Sequence, residues 1–181
     1  MLGYGGRILF VDLTHATARI ESFDETFARC YLGGNGFAAK LLYDHLRPGI
    51  DPFDLENLIV FAVGPITDTT VVGNSRACVA SKSPLTGLFF DSTFGGRFPA
   101  TMKRTGFDAI AISGRADRPV YLVVDEAGAS IKPAAHLWGK TTIETVQAIQ
   151  AVEGPEADAI AIGPAGEHLV RYAAKIGRAH V

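Results

Sequence analysis

The sequence contains few of the residues that build disulfide frameworks or metal centres. Its 181 residues include only two cysteines, Cys30 and Cys78, and five histidines. The cysteines lie far apart without C-x-x-C spacing, which favours free thiols in a reducing cytosol over a disulfide framework. The histidines are scattered, and neither an H-x-x-x-H pair nor a Cys/His cluster occurs. The chain therefore lacks the pattern of a zinc site, and we expect a cytoplasmic protein.

A strong charge of one sign and a long apolar run are also missing. The 17 lysines and arginines nearly balance 19 aspartates and glutamates, for a formal net charge of -2. This balance argues against a broad electrostatic surface for nucleic acid or an anionic membrane. No apolar run approaches the roughly 20 residues that a membrane-spanning helix needs, and the first residues lack the layout of a secretory signal. We expect neither nucleic acid nor a membrane as a partner.

Motifs for hydrolysis and for nucleotide binding are absent. The sequence has no G-x-S-x-G and no P-loop. Segment 33–36 (GGNG) resembles a dinucleotide loop, but it follows a predicted helix rather than a strand and lacks the full G-x-G-x-x-G spacing. Four carboxylates, Asp12, Asp51, Asp91 and Asp108, lie at predicted turns and strand ends, where capping explains them. No paired acid and base is indicated.

Glycine, in contrast, is abundant. The chain has 20 glycines, well above the ordinary share of about 7%. Such a number indicates many backbone positions with positive φ, or places where another group approaches the main chain closely. A turn-rich α+β fold that needs many corners explains the same composition. Composition alone leaves both interpretations open.

The first part of the chain predicts a hairpin, helices and a strand. Residues 7–23 contain two runs of strand formers around a turn. Asp24 is typical of a helix N-cap, and helical spacing continues on both sides of segment 33–36. Residues 58–63 are continuously apolar and end at a Gly-Pro corner, which predicts a buried strand.

The same order returns later in the chain. Residues 118–132 predict a hairpin, the capping-box pattern Thr141-x-x-Glu144 opens a helix, and strand 158–162 again ends at Gly-Pro. We predict an internal duplication of a hairpin-helix-strand unit, forming mixed or antiparallel sheets in an α+β fold. Chance is the alternative, because short apolar strands that end at Gly-Pro are common.

The segments between the two units show no flexible linker. Residues 76–81 and 87–91 predict strands, 92–96 a loop, 97–105 a short helix and 107–112 a buried strand. We therefore treat the chain as one domain.

The last six residues differ from the rest. Residues 176–181 (IGRAHV) have codons that can spell a commonly used sequencing adapter, so we predict a non-native read-through tail. The domain is then expected to comprise residues 1–175.

Two segments form the best candidate for ligand binding. Residues 73–76 end at Arg76, and residues 92–97 contain Gly95 and Gly96 before a predicted helix. A glycine-rich loop that opens a helix presents free backbone N–H groups to an anion. An arginine adds a bidentate fork for a phosphate or a polar heterocycle. A tight turn with a solvated arginine is the alternative, and the residues alone do not decide between them.

These segments belong to a longer colinear pattern whose single pieces are weak but whose order and spacing are specific. In chain order the pieces are Gly6-Arg7 with Val11-Asp12-Leu13, Leu32-Gly33-Gly34 with Gly36 and Leu41-Leu42, Asp51-Pro52 with Glu56-Asn57, Gly64-Pro65-Ile66-Thr67, Arg76, Ser81-Lys82-Ser83-Pro84-Leu85-Thr86-Gly87, Gly95-Gly96, Lys103, Gly106-Phe107-Asp108-Ala109-Ile110, Arg118-Pro119-Val120-Tyr121, His136-Leu137-Trp138-Gly139-Lys140 and Ile162-Gly163-Pro164-Ala165-Gly166-Glu167. Over nearly all of residues 3–174 this pattern resembles the tungsten-containing aldehyde:ferredoxin oxidoreductases.

The resemblance implies a duplicated α+β domain that forms a base for a tungsten (or molybdenum) bis-pterin cofactor. It implies that Arg76 contacts the pterin and that Gly95, with Gly96 beside it, makes a backbone contact. Thr93 stands where the family often has Asn, whose main-chain carbonyl helps to bind the Mg²⁺ that bridges the two pterin phosphates. A carbonyl contact survives a change to Thr, whereas a side-chain amide contact does not.

The resemblance also implies chemistry that this stretch of chain does not carry. It implies oxidation of an aldehyde to a carboxylic acid with ferredoxin as electron acceptor, further C-terminal domains, and a [4Fe–4S] cluster bound by residues outside this sequence. Cys30 and Cys78 match none of the cluster ligands, and no catalytic residue is expected here, so the fragment alone should be inactive. Relatives that act on aromatic acyl thioesters, a non-catalytic cofactor-binding module, and a homodimer stay open.

Overall fold

The computed structural model describes residues 1–173 and the backbone of residues 175–177. Within these residues, no helix is long and apolar enough to cross a membrane. The elements in chain order are β1 (Arg7–Asp12), β2 (Thr17–Ser22), α1 (Glu25–Tyr31), α2 (Asn35–His45), β3 (Ile59–Val63), β4 (Ala77–Lys82), β5 (Phe89–Phe94), α3 (Phe98–Arg104), β6 (Ala109–Ser113), β7 (Val120–Asp125), β8 (Gly128–Pro133), a 3₁₀ turn (Ala135–Leu137), α4 (Thr142–Glu153), β9 (Ile160–Ile162), α5 (Pro164–Glu167) and β10 (Lys175–Gly177).

Six strands form the main sheet, in the order β2-β1-β6-β3-β4-β5. The β1–β6 pair is parallel, and the other four pairs are antiparallel. The remaining strands form two antiparallel pairs, β7–β8 and β9–β10. The expected α+β class with mixed and antiparallel sheets is therefore confirmed.

The two faces of the main sheet carry separate apolar clusters, because successive strand residues point to opposite faces. One face packs against α1 and α2, where the fully buried Phe37 contacts the rings of Tyr4, Phe23 and Phe27. The opposite face packs against α3 and the inner side of the β7–β8 hairpin. These two layers fix the β4–β5 hairpin that carries the candidate site.

Local capping determines where two helices begin. The Asp24 carboxylate accepts the N–H of Phe27 at the start of α1. The Thr141 hydroxyl and the Glu144 carboxylate cap each other's backbone N–H groups at the start of α4. Each cap satisfies backbone donors that the first helical turn leaves without a partner. Both expected caps are confirmed.

The order of hairpin, helix and strand occurs twice, as expected, but the two units differ in pairing. In the first unit β1 and β3 flank β6 in one sheet, whereas the second unit forms the two separate pairs. The loop predicted at 92–96 is wrong in part, because β5 continues through Phe94. The tail predicted at 176–181 stays a prediction, since Lys175–Gly177 form β10 and residues 178–181 lie outside the described residues.

Candidate functional site

The β4–β5 hairpin brings the two predicted segments together. Its register pairs Ala77 with Phe94 and Cys78 with Thr93. One step beyond the ladder, Arg76 therefore lies opposite Gly95. A Cβ atom built on Gly95 would lie 3.6 Å from the Arg76 guanidinium nitrogen Nη1. The arginine and the glycine pair lie side by side at one end of the hairpin.

A cavity opens beside this end of the hairpin. Alternation along the strands places Arg76, Cys78 and Thr93 on the face that packs against α2. The cavity has a volume of about 270 Å³ and is lined by Arg76, Cys78, Thr93, Gly73, Asn74, the Leu32–Asn35 turn and the Gly64–Thr67 corner. The structure thus places Arg76 and Thr93 in one concave site, with Gly95 directly against the arginine.

The main chain at Gly95 packs closely against the Ser75–Arg76 segment. A Cβ atom on Gly95 would meet the Ser75 carbonyl oxygen at 3.3 Å as well as the Arg76 side chain. The Ser75 hydroxyl donates to the carbonyl of Gly96, which has a φ of +93° that favours glycine. These contacts hold the two segments together beside the Arg76 guanidinium.

Arg76 carries a positive charge that no carboxylate neutralises. Its side chain is exposed, and the described residues offer it neither an ion pair nor a hydrogen bond. Two arginines later in the chain do form ion pairs: Arg97 pairs with Glu156, and Arg104 pairs with Asp68. An unpaired guanidinium at the rim of a cavity suits an anionic ligand. Such a ligand can form a charge-assisted hydrogen bond with the guanidinium by displacing water, without breaking an ion pair.

The main-chain carbonyl of Thr93 is also uncommitted. The Ser83 N–H donates to the Leu88 carbonyl at 2.8 Å where the β4–β5 ladder begins. Hydrogen-bonded and non-hydrogen-bonded pairs alternate along an antiparallel ladder, so the Cys78–Thr93 pair is non-hydrogen-bonded. The N–H and C=O of Thr93 therefore point away from β4, at the outer edge of the sheet. No described residue hydrogen-bonds to either group, and the oxygen is free to bind a cation.

Sequence reasoning missed two residues of the cavity. Thr67 is 3% exposed, and its hydroxyl accepts the Gly64 N–H and donates to the carbonyl of Arg76. Cys78 is buried, and desolvation together with the charge of Asp91 raises the pKa of its thiol to about 11. The period-two pattern of β4 was a signal for Cys78, because it lies two residues from Arg76 on the same face.

The helix expected after the glycine pair is present but short. The glycine pair was expected to open a helix whose N-terminal N–H groups would face the ligand. Helix α3 has only seven residues, and its N-cap is Arg97, which follows the glycines. The case for an anion therefore depends on Arg76 rather than on a helix end. Among residues 1–173, no group of three or more His, Cys, Asp or Glu side chains is placed to hold a metal ion.

Comparison with known proteins identifies the family. Residues 8–180 match the family model described as aldehyde ferredoxin oxidoreductase, N-terminal domain. The chain belongs to this family. It is 44% identical over 181 residues to the tungsten-containing aldehyde ferredoxin oxidoreductase of Pyrococcus abyssi and 42% identical to that of Pyrococcus horikoshii. Each match covers 99% of the chain but only 30% of the relative's length.

A solved structure agrees with the fold. The chain superimposes on a chain of the active site complex BamBC of benzoyl coenzyme A reductase with a TM-score of 0.94 and 37% identity. The match covers 97% of this chain and 27% of that one. A third relative, the aliphatic sulfonate oxidoreductase, WOR-like subunit, of Pyrococcus furiosus, is 29% identical. The relatives thus contain further domains and differ in what they act on.

Proposed function

We propose that this chain is the cofactor-binding N-terminal part of a tungsten-dependent oxidoreductase that converts aldehydes to carboxylic acids. The observation that carries the proposal is the unpaired Arg76 guanidinium beside Gly95 at the rim of the cavity. The names of the most similar relatives include both tungsten and aldehyde oxidation. Because the chain spans about 30% of their length, this activity is proposed for the full-length protein.

The residues of the site fit a flat anionic cofactor. Arg76 would bind the anionic or polar part of a pterin, and the backbone at Gly95 and Gly96 would lie against it. The free carbonyl of Thr93 would bind an Mg²⁺ ion that accompanies the cofactor, since Mg²⁺ prefers oxygen ligands. When bound, the tungsten bis-pterin supplies the two-electron oxidation. This chain contributes binding and orientation.

The remaining parts of the reaction belong to the rest of the polypeptide. Oxidation of an aldehyde with water releases two electrons and two protons, and we propose that a [4Fe–4S] cluster passes the electrons to ferredoxin. The described residues contain no cysteine cluster to hold iron–sulfur. The cluster ligands and the substrate-facing residues are therefore assigned to the further domains, and the 181-residue chain should be inactive. Homodimer formation and a cytoplasmic location stay predictions.

A second candidate reaction involves an aromatic acyl thioester. The observation that favours it is the TM-score of 0.94 to the benzoyl coenzyme A reductase complex. The full-length protein should be assayed with ferredoxin against aldehydes and against benzoyl coenzyme A. Turnover of aldehydes alone supports the first candidate, and turnover of the thioester alone supports the second. A tungsten-loaded protein without either activity would indicate a non-catalytic module.

Replacing Arg76 with alanine tests the proposed site. In the full-length protein we expect Arg76→Ala to lower tungsten and pterin content per chain by about tenfold, since a lost charge-assisted contact costs roughly 1.5–3 kcal/mol. Arg118→Ala is the matched control, because Arg118 is also exposed and its side chain makes neither a hydrogen bond nor an ion pair among the described residues. Metal analysis and pterin fluorescence measure the result. Equal cofactor content in both variants would contradict the proposed site.

A further inference from the structure

The Thr93 carbonyl has an acidic neighbour that neither the family pattern nor the proposed function uses. Asp91 lies two residues before Thr93 in β5, so both side chains point to the same face of the sheet. The Asp91 carboxylate oxygen Oδ2 accepts a hydrogen bond from the amide nitrogen of Asn35 at 2.5 Å. Asn35 is the first residue of α2, and it lines the cavity together with Thr93. The carboxylate is therefore held at the edge of the candidate site.

The described residues provide no counter-ion for Asp91. Among residues 1–173, no lysine, arginine or histidine lies within ion-pair distance of it, and its oxygen Oδ1 has no hydrogen-bond donor. Its field reaches the cavity, because it contributes to the raised pKa of the Cys78 thiol. Asp91 is exposed, so water screens part of its charge, and a cation beside it would offset the rest of its repulsion of an anionic cofactor.

Two oxygen atoms thus lie near one end of β5: the Thr93 carbonyl, which faces the outer edge of the sheet, and the free Oδ1 of Asp91, whose side chain faces α2. Magnesium is bound in proteins by one or two carboxylates, by phosphates and by several retained waters. Residues two positions apart in a strand, such as Asp91 and Thr93, are about 7 Å apart. Ligand oxygens on opposite sides of an Mg²⁺ ion are only roughly 4 Å apart, so both residues are not expected to bind the ion directly. A water held by the cation can span this difference.

We propose that Asp91 stabilises the Mg²⁺ at the Thr93 carbonyl by accepting a hydrogen bond from a metal-bound water. The proposal depends on the proposed function, since the phosphates of the cofactor complete the coordination. Asn35 holds the carboxylate in place and leaves Oδ1 free for the water. Asp91 acts through the water and is a positioning residue for the cation.

A simpler role would also explain the Asn35 contact. The hydrogen bond joins α2 to β5, so Asp91 could serve only to close the cavity wall. The two roles predict different effects for the two partners. Asp91→Asn removes the charge but keeps an oxygen that accepts the Asn35 amide. Asn35→Ala removes the hydrogen bond and keeps the charge.

The test measures magnesium retention by the full-length holoprotein. Wild type, Asp91→Asn and Asn35→Ala are dialysed against graded EDTA, and Mg and W per chain are determined by elemental analysis. We expect Asp91→Asn to lose half of its magnesium at about tenfold lower EDTA than wild type, the size typical for loss of an outer partner of a metal ligand. We expect Asn35→Ala to stay within about twofold of wild type.

Four results would overturn the proposal. Magnesium retention in Asp91→Asn equal to wild type would show that the charge does not act on the cation. A loss in Asn35→Ala as large as in Asp91→Asn would show that the hydrogen bond alone matters. A wild-type protein with tungsten and pterin but without magnesium would refute this inference and leave the proposed function intact, whereas a wild type without tungsten, pterin or magnesium would overturn both.

Discussion

The buried ion pair between Lys103 and Asp108 offers the sharpest test of what holds this domain together. Asp108 is 0% exposed, and its carboxylate accepts the Lys103 ammonium on one oxygen and the Gly6 N–H at 2.8 Å on the other. Its backbone N–H donates a hydrogen bond to the Arg7 carbonyl, and its carbonyl accepts one from the Val63 N–H. Asp108 therefore connects β1, β3 and β6 through one residue. Replacing Lys103 with methionine keeps the apolar stem and removes only the charge.

The size of the effect follows from burial. Removing one partner of a buried ion pair costs about 3–5 kcal/mol, because the other charge is left without compensation. The Gly6 N–H still stabilises the carboxylate, and the Lys103 side chain is 12% exposed, so we expect about 3 kcal/mol for Lys103→Met. Asp108→Asn retains an acceptor for Gly6 and frees an ammonium that can reach water, so it should cost about 1–2 kcal/mol.

Urea unfolding of the 181-residue chain, followed by circular dichroism, measures these changes. With a slope of about 2 kcal/mol per molar urea, Lys103→Met should lower the midpoint by about 1.5 M. The double variant Lys103→Met with Asp108→Asn should recover part of this loss, since no buried charge remains. Lys140→Met, in the loop before α4, is the control. A Lys103→Met midpoint equal to that of the control would refute the reasoning.

Two further predictions concern close packing and the free thiols. Gly36→Ala would place a Cβ atom 2.0 Å from the Tyr31 carbonyl oxygen, so the unfolding free energy of the variant should fall by about 3 kcal/mol. In the control Gly163→Ala the nearest contact of the new Cβ atom is at 3.4 Å, and its unfolding free energy in the same urea assay should change little. Iodoacetamide at pH 8 should label the exposed Cys30 and spare the buried Cys78, and equal labelling of both would contradict the burial. The fold raises the pKa of the Cys78 thiol from 9.0 to about 11. The stability that the neutral thiol contributes is therefore present below pH 9 and is lost as the pH rises to 11. Urea titrations at pH 8 and pH 11 should show this loss in the wild type and not in Cys78→Ala.

Local signals in the sequence predicted the elements well. Asp24 and the Thr141–Glu144 box act on backbone groups within one helical turn, so their effect does not depend on the rest of the fold. The apolar run 58–63 indicated a buried strand rather than a helix, because a Gly-Pro corner ends it after six residues. The closeness of Arg76 and Gly95 was also predictable, because two strands joined by a short turn bring their outer ends together.

Contacts between distant segments were not predictable in this way. No local pattern indicates that β6 lies between β1 and β3, since apolar strand residues look alike in any order of pairing. The hydrogen bond from Asn35 to Asp91 joins residues 56 positions apart and depends on how α2 packs on the sheet. The length of β5 escaped prediction because Ser92 and Thr93 suit loops and edge strands equally. The proposed partner, cluster and substrate could not be read from this chain, which spans about 30% of the length of its relatives.

The late position of β6 has a consequence for synthesis of the chain on the ribosome. Residues 8–12 of β1 must wait for residues 109–113 before their second ladder can form. At about 5–20 residues per second, this interval lasts roughly 5–20 s. During that time β1, whose Leu9 and Val11 end fully buried, is paired only with β2. The nascent chain therefore passes through a stage at which one edge of β1 has no partner strand.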